Sequence, residues 1–423
     1  MLLIYRYLIN LLFPLIILTI YLRTLLKKED KIRFKEKLFS ASFNIIKNNN
    51  KKLIWFHAAS IGEFKSIAPL IKKLNKDNEF EFLITTVTLS SSQLIKRELF
   101  DEKNIIHRFF PIDKLSLVKK FLDGWSPNLV LFVDSEIWPN FLLEIKKRNI
   151  PLVLLNGRIT LKTFSRWNLV PSIAEKIFQT FKLCLPSNKE SKEYLEKFKV
   201  NNVKYFGNLK LTSNNKLNDL DIRNKDILNK NKFWCAVSTH KEEDIFCLKT
   251  HLKIKKEQKN IITIIIPRHI DRTKSIKLDC EKLSIKSQIL SEGELIEKDK
   301  EIIIINSYGV MSNYLSQCKS VFIGKSMIKK LKSVGGQNPI EAAKLGCKIY
   351  HGPYVYNFEE IYDLLNQYNM SEKIHNEDEL SNKLIFDLNK SNDVKDKYIK
   401  TINDLGNKIL DQTFNELKKM INK

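Results

Sequence analysis

The sequence predicts an α/β protein with two doubly wound, Rossmann-like domains facing a cleft, preceded by an apolar N-terminal segment. Three observations predict it. Short apolar runs alternate with stretches of helical periodicity, the rhythm of a parallel sheet covered by helices. That rhythm runs twice, broken at Thr212–Lys232, which is rich in Asn, Lys and Asp and poor in apolar periodicity. Polar and charged residues also collect just after the apolar runs, where open α/β sheets bind ligands. A chain of 423 residues is long enough for two cores of ordinary size.

Residues 1–26 come first. From Tyr7 to Leu22 the chain carries no charge, and only Asn10 and Thr19 are strongly polar. A spanning helix needs about 20 apolar residues, so this expected membrane anchor spans only with help from its flanks and otherwise lies in the interface. Pro14 breaks soluble helices but is tolerated in membranes. Arg6 lies upstream, whereas Arg23, Lys27, Lys28, Lys31, Arg33, Lys35 and Lys37 crowd the downstream side. The positive-inside bias therefore places the remaining chain in the cytoplasm. No small-residue cleavage site follows, which argues against a removable signal peptide.

The first domain is expected over 50–211. Leu53–Ala59 reads as a strand buried on both faces. Ser60, Gly62 and Glu63 form a turn, and Phe64 to Leu74 shows helical spacing. Strands follow at Phe80–Val87, Ile105–Pro111, Asn128–Val133 and Pro151–Asn156, with helices at Ser90–Leu99, Lys114–Leu122 and Ile137–Lys147. Leu183–Leu185 and Val203–Phe206 read as further short strands. After the linker, 212–232, the second domain is expected over 233–390. Its strands are Phe233–Val237, Ile261–Ile266, Ile302–Ile305, Lys319–Ile323 and Cys347–His351. Its helices are Lys241–Lys256, Asp271–Leu283 and Asn338–Leu345. The segment 391–423 closes the chain with an amphipathic helix, Asp393–Ile421.

The composition bounds the partners. The formal net charge is +24, from 72 basic and 48 acidic residues, which fits nucleic acid, a membrane surface or a phosphorylated substrate. The Lys residues are scattered, and Lys, Asn and Ile are all over-used, so an AT-rich coding bias explains part of the excess. Aromatic–basic interleaving of the kind that stacks single-stranded bases is not evident, so nucleic acid is not expected. Six cysteines show no C-x-x-C pair and no His at ligand spacing. They read as reduced core residues, with no metal implied.

Several strand ends carry chemistry. Glu63 stands at the mouth of a helix beyond a strand, where it serves either the helix dipole or a ligand. Asp134 and Glu136 end another strand, paired within the protein or contacting ligand. Asn156-Gly157-Arg158 repeats that pattern with a guanidinium suited to carboxylate or phosphate, and Arg166 and Trp167 follow. Asn208 and Lys210 precede the linker. Ser238 and Thr239 suit N-caps of the helix expected from Lys241. Arg268 and His269 follow the most apolar strand, as an anion site or a solvated pair. Gly335 and Gly336 open a helix whose N–H groups and dipole favour phosphate. Asn338 and Glu341 follow, the carboxylate within reach of ribose hydroxyls. No Walker A or G-x-G-x-x-G pattern is present.

The motifs HAASIGE, DSEIWPN, NGRIT…SRW, GNLK, STHKEE, PRHIDR, GGQNPIE and GPYVYNF, in this order, closely resemble the 3-deoxy-D-manno-octulosonic acid (Kdo) transferases of lipopolysaccharide biosynthesis. The resemblance spans roughly residues 1 to 360. It implies a GT-B glycosyltransferase with CMP-Kdo as donor, a phosphorylated lipid A precursor as acceptor, no cofactor, and catalysis at the cytoplasmic face of the inner membrane. By resemblance Glu63 is the general base, and Arg268, Asn338 and Glu341 bind CMP. The chain departs from the family at Asp134, where a glutamate is usual. It also reads Ser307-Tyr308-Gly309-Val310-Met311 where the family has a G-E-L turn, and Lys325 and Lys329–Lys332 alter the loop before Gly335. The competing readings are another GT-B transferase using a nucleotide sugar, or a non-catalytic, membrane-tethered protein binding anionic lipid.

Overall fold

The computed structural model describes residues 2–48, 50–99, 102–213, 220–390 and 393–421, with the side chains of Asp77 and Asp393 left aside. The chain divides into two compact units, Met1–Asn214 with Gly406–Lys423, and Asn215–Leu405.

The first unit opens with helix α1 (Leu2–Leu25) and continues β1 (Lys52–His57), α2 (Ile61–Leu74), β2 (Phe80–Thr86), α3 (Leu89–Glu98) and β3 (Ile105–Phe109). Next come α4 (Leu115–Trp125), β4 (Leu129–Val133), α5 (Pro139–Lys147), β5 (Leu152–Gly157), α6 (Leu161–Asn168), α7 (Pro171–Phe178), β6 (Leu183–Pro186) and α8 (Lys189–Lys197). The sheet order is β3-β2-β1-β4-β5-β6, all parallel, so the order reverses between β1 and β4. The central strands are buried from end to end because βα crossovers cover both faces. Between sheet and helices sits an aromatic cluster of Trp55, Phe110, Phe121, Phe132 and Phe141, with Trp55 and Phe121 centroids 5.0 Å apart. Truncating Trp55 to alanine removes the centre of that cluster, at a cost of about 3–5 kcal/mol.

The second unit contains α9 (Ile222–Lys230), β7 (Phe233–Thr239), α10 (Glu243–Glu257), β8 (Ile262–Pro267), α11 (Thr273–Lys282), β9 (Ser287–Leu290) and β10 (Ile302–Ile305). It continues with α12 (Met311–Leu315), β11 (Ser320–Ile323), α13 (Ile340–Lys344), β12 (Lys348–His351), α14 (Glu359–Gln367), β13 (Ser371–Lys373) and α15 (Glu377–Leu388). Its parallel sheet runs β13-β12-β11-β7-β8-β10-β9 and reverses between β7 and β11. The last helix, α16 (Asp393–Ile421), contains the division between the units.

The structure departs from the sequence reading in four places. Val203–Phe206 is no strand: Val203 forms one isolated bridge to Cys184, because its neighbour β6 ends at Pro186, which has no N–H to extend a ladder. The stretch expected to be all linker contains α9, capped by Asp221 and pinned by Asn224, whose side chain bonds the backbone at Glu294 and Ile296. Residues 214–219 of that stretch lie outside the described residues. Ser238 and Thr239 finish β7 instead of capping α10, which starts later, at Glu243. The helix expected over Asn338–Leu345 is shortened to Ile340–Lys344. The six cysteines are free and buried.

Candidate active site

In the first unit the polar strand ends converge where the strand order reverses. Ser60 caps α2, its Oγ accepting the Glu63 N–H at 3.3 Å. The Glu63 carboxylate folds back, accepting from the Ala59 N–H at 2.7 Å and the Ser60 hydroxyl at 2.8 Å. The capping and ligand readings of Glu63 therefore coincide: the helix start fixes the carboxylate. Burial pushes its pKa up to about 7; Glu136 and Asp134 push the same way, against the hydrogen bonds from Ser60 and Ala59. A Cβ added at Gly62 would meet no described atom within 4 Å.

The neighbouring carboxylates differ. Glu136 accepts from Trp138 Nε1 at 2.7 Å and faces His57 Nε2 at 3.2 Å. Burial alone would raise its pKa, but His57 and the Trp138 N–H overcome that and hold it below the ordinary value. His57 is buried, stacked 3.7 Å from the Phe110 ring, with Nδ1 against Thr85. One carboxylate is thus kept ionised while Glu63 is poised near neutrality, the separation that assigns different roles to two acids.

Asp134 adopts a positive φ of 62° and pairs with Lys210 Nζ at 3.3 Å. Asn156 reaches across to the Leu209 N–H at 2.9 Å, and Asn208 caps the turn at Lys210. These bonds gather the DSE, NGR and GNLK segments at one edge. Arg158 follows β5, its N–H bonded to the Asp134 carbonyl at 3.1 Å.

In the second unit the strand ends carry the opposite charge. Arg268 and His269 are exposed after β8, and Arg268 has no carboxylate partner among the described residues. Arg272 is held by Asp244 and the Thr239 carbonyl. Burial, then the neighbouring Lys325, His269, Arg272 and Arg268, lower the His240 pKa to about 4. Thr239 Oγ1 and His240 Nε2 are buried without a partner among the described residues. Glu243 anchors this edge: its carboxylate accepts from the N–H groups of His240 (3.0 Å), Lys325 (2.6 Å), Ser326 (2.8 Å) and Met327 (3.0 Å).

The glycine loop is built differently from the sequence expectation. Gly336, at φ 85°, donates its N–H to the Lys325 carbonyl at 2.7 Å, so that group is not offered to a phosphate. A Cβ on Gly335 would sit 2.3 Å from the Tyr354 carbonyl, so close backbone approach explains this glycine. Asn338 turns its side chain to the Ile340 N–H at 3.1 Å, and α13 is too short to present a strong dipole. Glu341 sits in its first turn. The turn that lacks the expected acid carries Tyr308, 66% exposed. Among the described residues no group of His, Cys, Asp or Glu is placed to hold a metal.

The structure brings Ser60, Glu63, Asp134, Glu136, Asn208 and Lys210 together in one unit, and Ser238, Thr239, Arg268 and His269 in the other. Sequence reasoning missed His57, Trp138, His240 and Glu243. His57 lies inside a quoted motif but looks like the end of an apolar strand, and Glu243 looks like an ordinary first-turn acid.

Comparison with known proteins gives the family and the fold. Residues 33–213 match the family described as 3-deoxy-D-manno-octulosonic-acid transferase (kdotransferase). The 3-deoxy-D-manno-octulosonic acid transferase of Rickettsia bellii is 30% identical over 398 residues, 92% of this chain and 92% of the relative. That of Haemophilus influenzae is 27% identical, covering 74% of this chain and 73% of its own. Among solved structures, a glycosyltransferase from Rickettsia africae superposes with a TM-score of 0.56 at 12% identity, covering 88% of this chain and 99% of that one. UDP-GlcNAc 2-epimerase from Neisseria meningitidis gives 0.55 at 14%, covering 87% and 100%. The fold is that of two-domain GT-B proteins, and the chain belongs to the Kdo transferase family of glycosyltransferases.

Proposed function

We propose that this chain moves Kdo from CMP-Kdo to a phosphorylated lipid A precursor, with inversion, at the cytoplasmic face of the inner membrane. The first domain takes the acceptor and the second the donor. The observation that carries the reading is Glu63: a carboxylate fixed by two hydrogen bonds, with its pKa raised to about 7 beside an ionised Glu136. That suits a general base, which works best with a pKa near the operating pH.

In the proposed step, an acceptor hydroxyl oxygen bonds to the anomeric carbon of Kdo and its proton passes to Glu63. The bond from that carbon to the CMP phosphate oxygen breaks, and CMP leaves with the electron pair. Negative charge grows on the leaving phosphate. Arg268 and His269, with Lys325 nearby, stabilise it electrostatically. Asn338 and Glu341 bind the nucleoside, Gly335 and Gly336 shape the wall beside it, and Ser238 and Thr239 line its floor. Arg158 and Lys210 hold acidic groups of Kdo or acceptor, supported by Asn208, while the Ser60 hydroxyl orients the base and Gly62 keeps the turn beside it open. Helix α1, apolar and 24 residues long, brings the enzyme to the lipid that carries its acceptor.

The test incubates purified full-length protein with CMP-Kdo and a tetraacylated lipid A precursor and reads the product mass. The expected outcome is addition of Kdo with release of CMP. A chain that binds both substrates but transfers nothing would leave the non-catalytic binding reading in its place.

A further inference from the structure

We infer that α1 does not cross the bilayer but lies lengthwise in one leaflet, one face docked on its own domain and the other covered by lipid. The inference rests on the membrane association proposed above and specifies its geometry.

Helix α1 is apolar nearly all round, and such a helix must be covered all round. The protein covers one stripe. Leu2, Tyr5, Arg6, Ile9, Phe13, Ile16, Ile17, Ile20 and Thr24 are the less exposed positions, at alternating three- and four-residue helical spacing. Tyr5 donates its hydroxyl to Asp113 at 2.7 Å, and Arg6 Nε donates to Asn140 at 2.8 Å. Asp113 is buried and also accepts the first N–H groups of α5, from Asn140 and Phe141, at 3.0 Å each. Lys114 lies 3.9 Å over the Phe13 ring, and Ile20 packs with Phe34 and Leu38. Beyond the helix, Glu29 joins Arg23 at 2.8 Å to the buried Lys37 at 2.6 Å, and Lys37 also bonds the Val87 carbonyl. Lys37, which the sequence reading counted among the basic residues downstream of the anchor, is therefore an internal clamp.

These contacts run from Tyr5 to Ile20, about 22 Å at 1.5 Å per residue, most of a hydrocarbon core of about 30 Å. A helix standing across the bilayer with this face docked would pull Asp113, Lys114 and Asn140 into hydrocarbon, where polar groups are costly. Lying flat avoids that. The opposite face is left apolar and exposed, with Leu3, Leu11, Leu15, Leu18, Leu22 and Leu25 each at least half exposed. Lys27, Lys28, Lys31 and Lys35 follow it, exposed and without a carboxylate partner among the described residues. An apolar strip ending in unpaired cations fits a leaflet containing anionic headgroups.

Two measurements test this. A polar epitope tag is placed ahead of Leu2 in the full chain, and protease is added to inverted or right-side-out inner-membrane vesicles. Digestion of the tag from the cytoplasmic side is expected, and digestion only from the periplasmic side would overturn the inference. Separately, the purified chain is floated with anionic or zwitterionic vesicles, beside Leu11→Glu/Leu15→Glu. The wild type is expected to float at least tenfold better with anionic vesicles, and the double variant to lose most of that binding. If the wild type floats with neither, membrane association itself fails, a result distinct from the tag result. If the double variant instead splits an oligomer without changing flotation, the face belongs to a second copy and the leaflet assignment is wrong.

Discussion

The two domains place opposite charges at the point where each parallel sheet reverses its strand order. In each, the parallel sheet reverses order next to its first strand, and the loops beyond that point carry the polar residues. Around β1 and β4 these are Glu63, Asp134 and Glu136, a carboxylate cluster in which burial raises one acid while His57 keeps another ionised. Around β7, β8 and β11 they are His240, Arg268, His269, Arg272 and Lys325, where burial first and then the neighbouring basic residues hold the His240 pKa down at about 4. The fold decides where a ligand is met, and the few residues at the strand ends decide what chemistry is done there.

The comparison breaks hardest at Glu63. Glu63→Gln keeps the shape of the turn but removes the proton acceptor, so kcat is expected to fall about 10²- to 10⁴-fold, with the donor KM little changed. On the cationic side, Arg268→Ala is expected to raise the donor KM roughly tenfold, the loss of one charge-assisted contact, and to do so more at low salt. A KM that stays put would remove Arg268 from the donor site.

Lys325 sharpens the contrast within the second domain. It holds a φ of 58°, a conformation that favours glycine, while its N–H and carbonyl are locked by Glu243 and Gly336. Lys325→Gly is expected to stabilise the fold by about 1 kcal/mol, since a side chain in the left-handed region costs roughly that much. It should also raise the donor KM several-fold by removing a cation. Thermal unfolding and steady-state kinetics on one preparation check both signs.

The Glu63 carboxylate also sets how stability depends on pH. In the fold the Glu63 pKa is raised to about 7, against an ordinary glutamate value of 4.5. The fold therefore favours its protonated form, and that contribution is present below pH 4.5 and lost as pH rises through 7. Glu63→Gln is accordingly expected to be more stable than wild type at pH 8, by about 1–2 kcal/mol after discounting for partial exposure, with the difference vanishing near pH 4. Melting curves across that range read it directly.

Much of the fold was legible because strands buried on both faces are continuous apolar runs, and Ile302–Ile305 has the bounds its sequence suggests. What escaped lacks that signal. Helix α6 spaces Leu161, Phe164 and Trp167 on one face but spans only 8 residues and fully buries none of them, and α9 buries only Asn224 and Leu228, so neither carries the long apolar run that reveals a core element. In the site, Glu63 and Asp134 were readable from their place after strands. Lys210 meets Asp134 across 76 residues, and the four N–H groups on Glu243 come from segments apart in sequence. Such pairings exist only once the sheet has formed. The glycine loop misled because its glycines answer to backbone crowding at Tyr354 and Val355, a constraint invisible in sequence.

The central claim is that Glu63 is the base, and the pH dependence of Kdo transfer tests it most directly. For the wild type, kcat/KM is expected to climb with unit slope and level off above an apparent pKa near 7. In Glu63→Gln that limb should vanish, leaving a low and flat rate. Full wild-type rate in Glu63→Gln, or the same limb retained in the variant, would contradict the account.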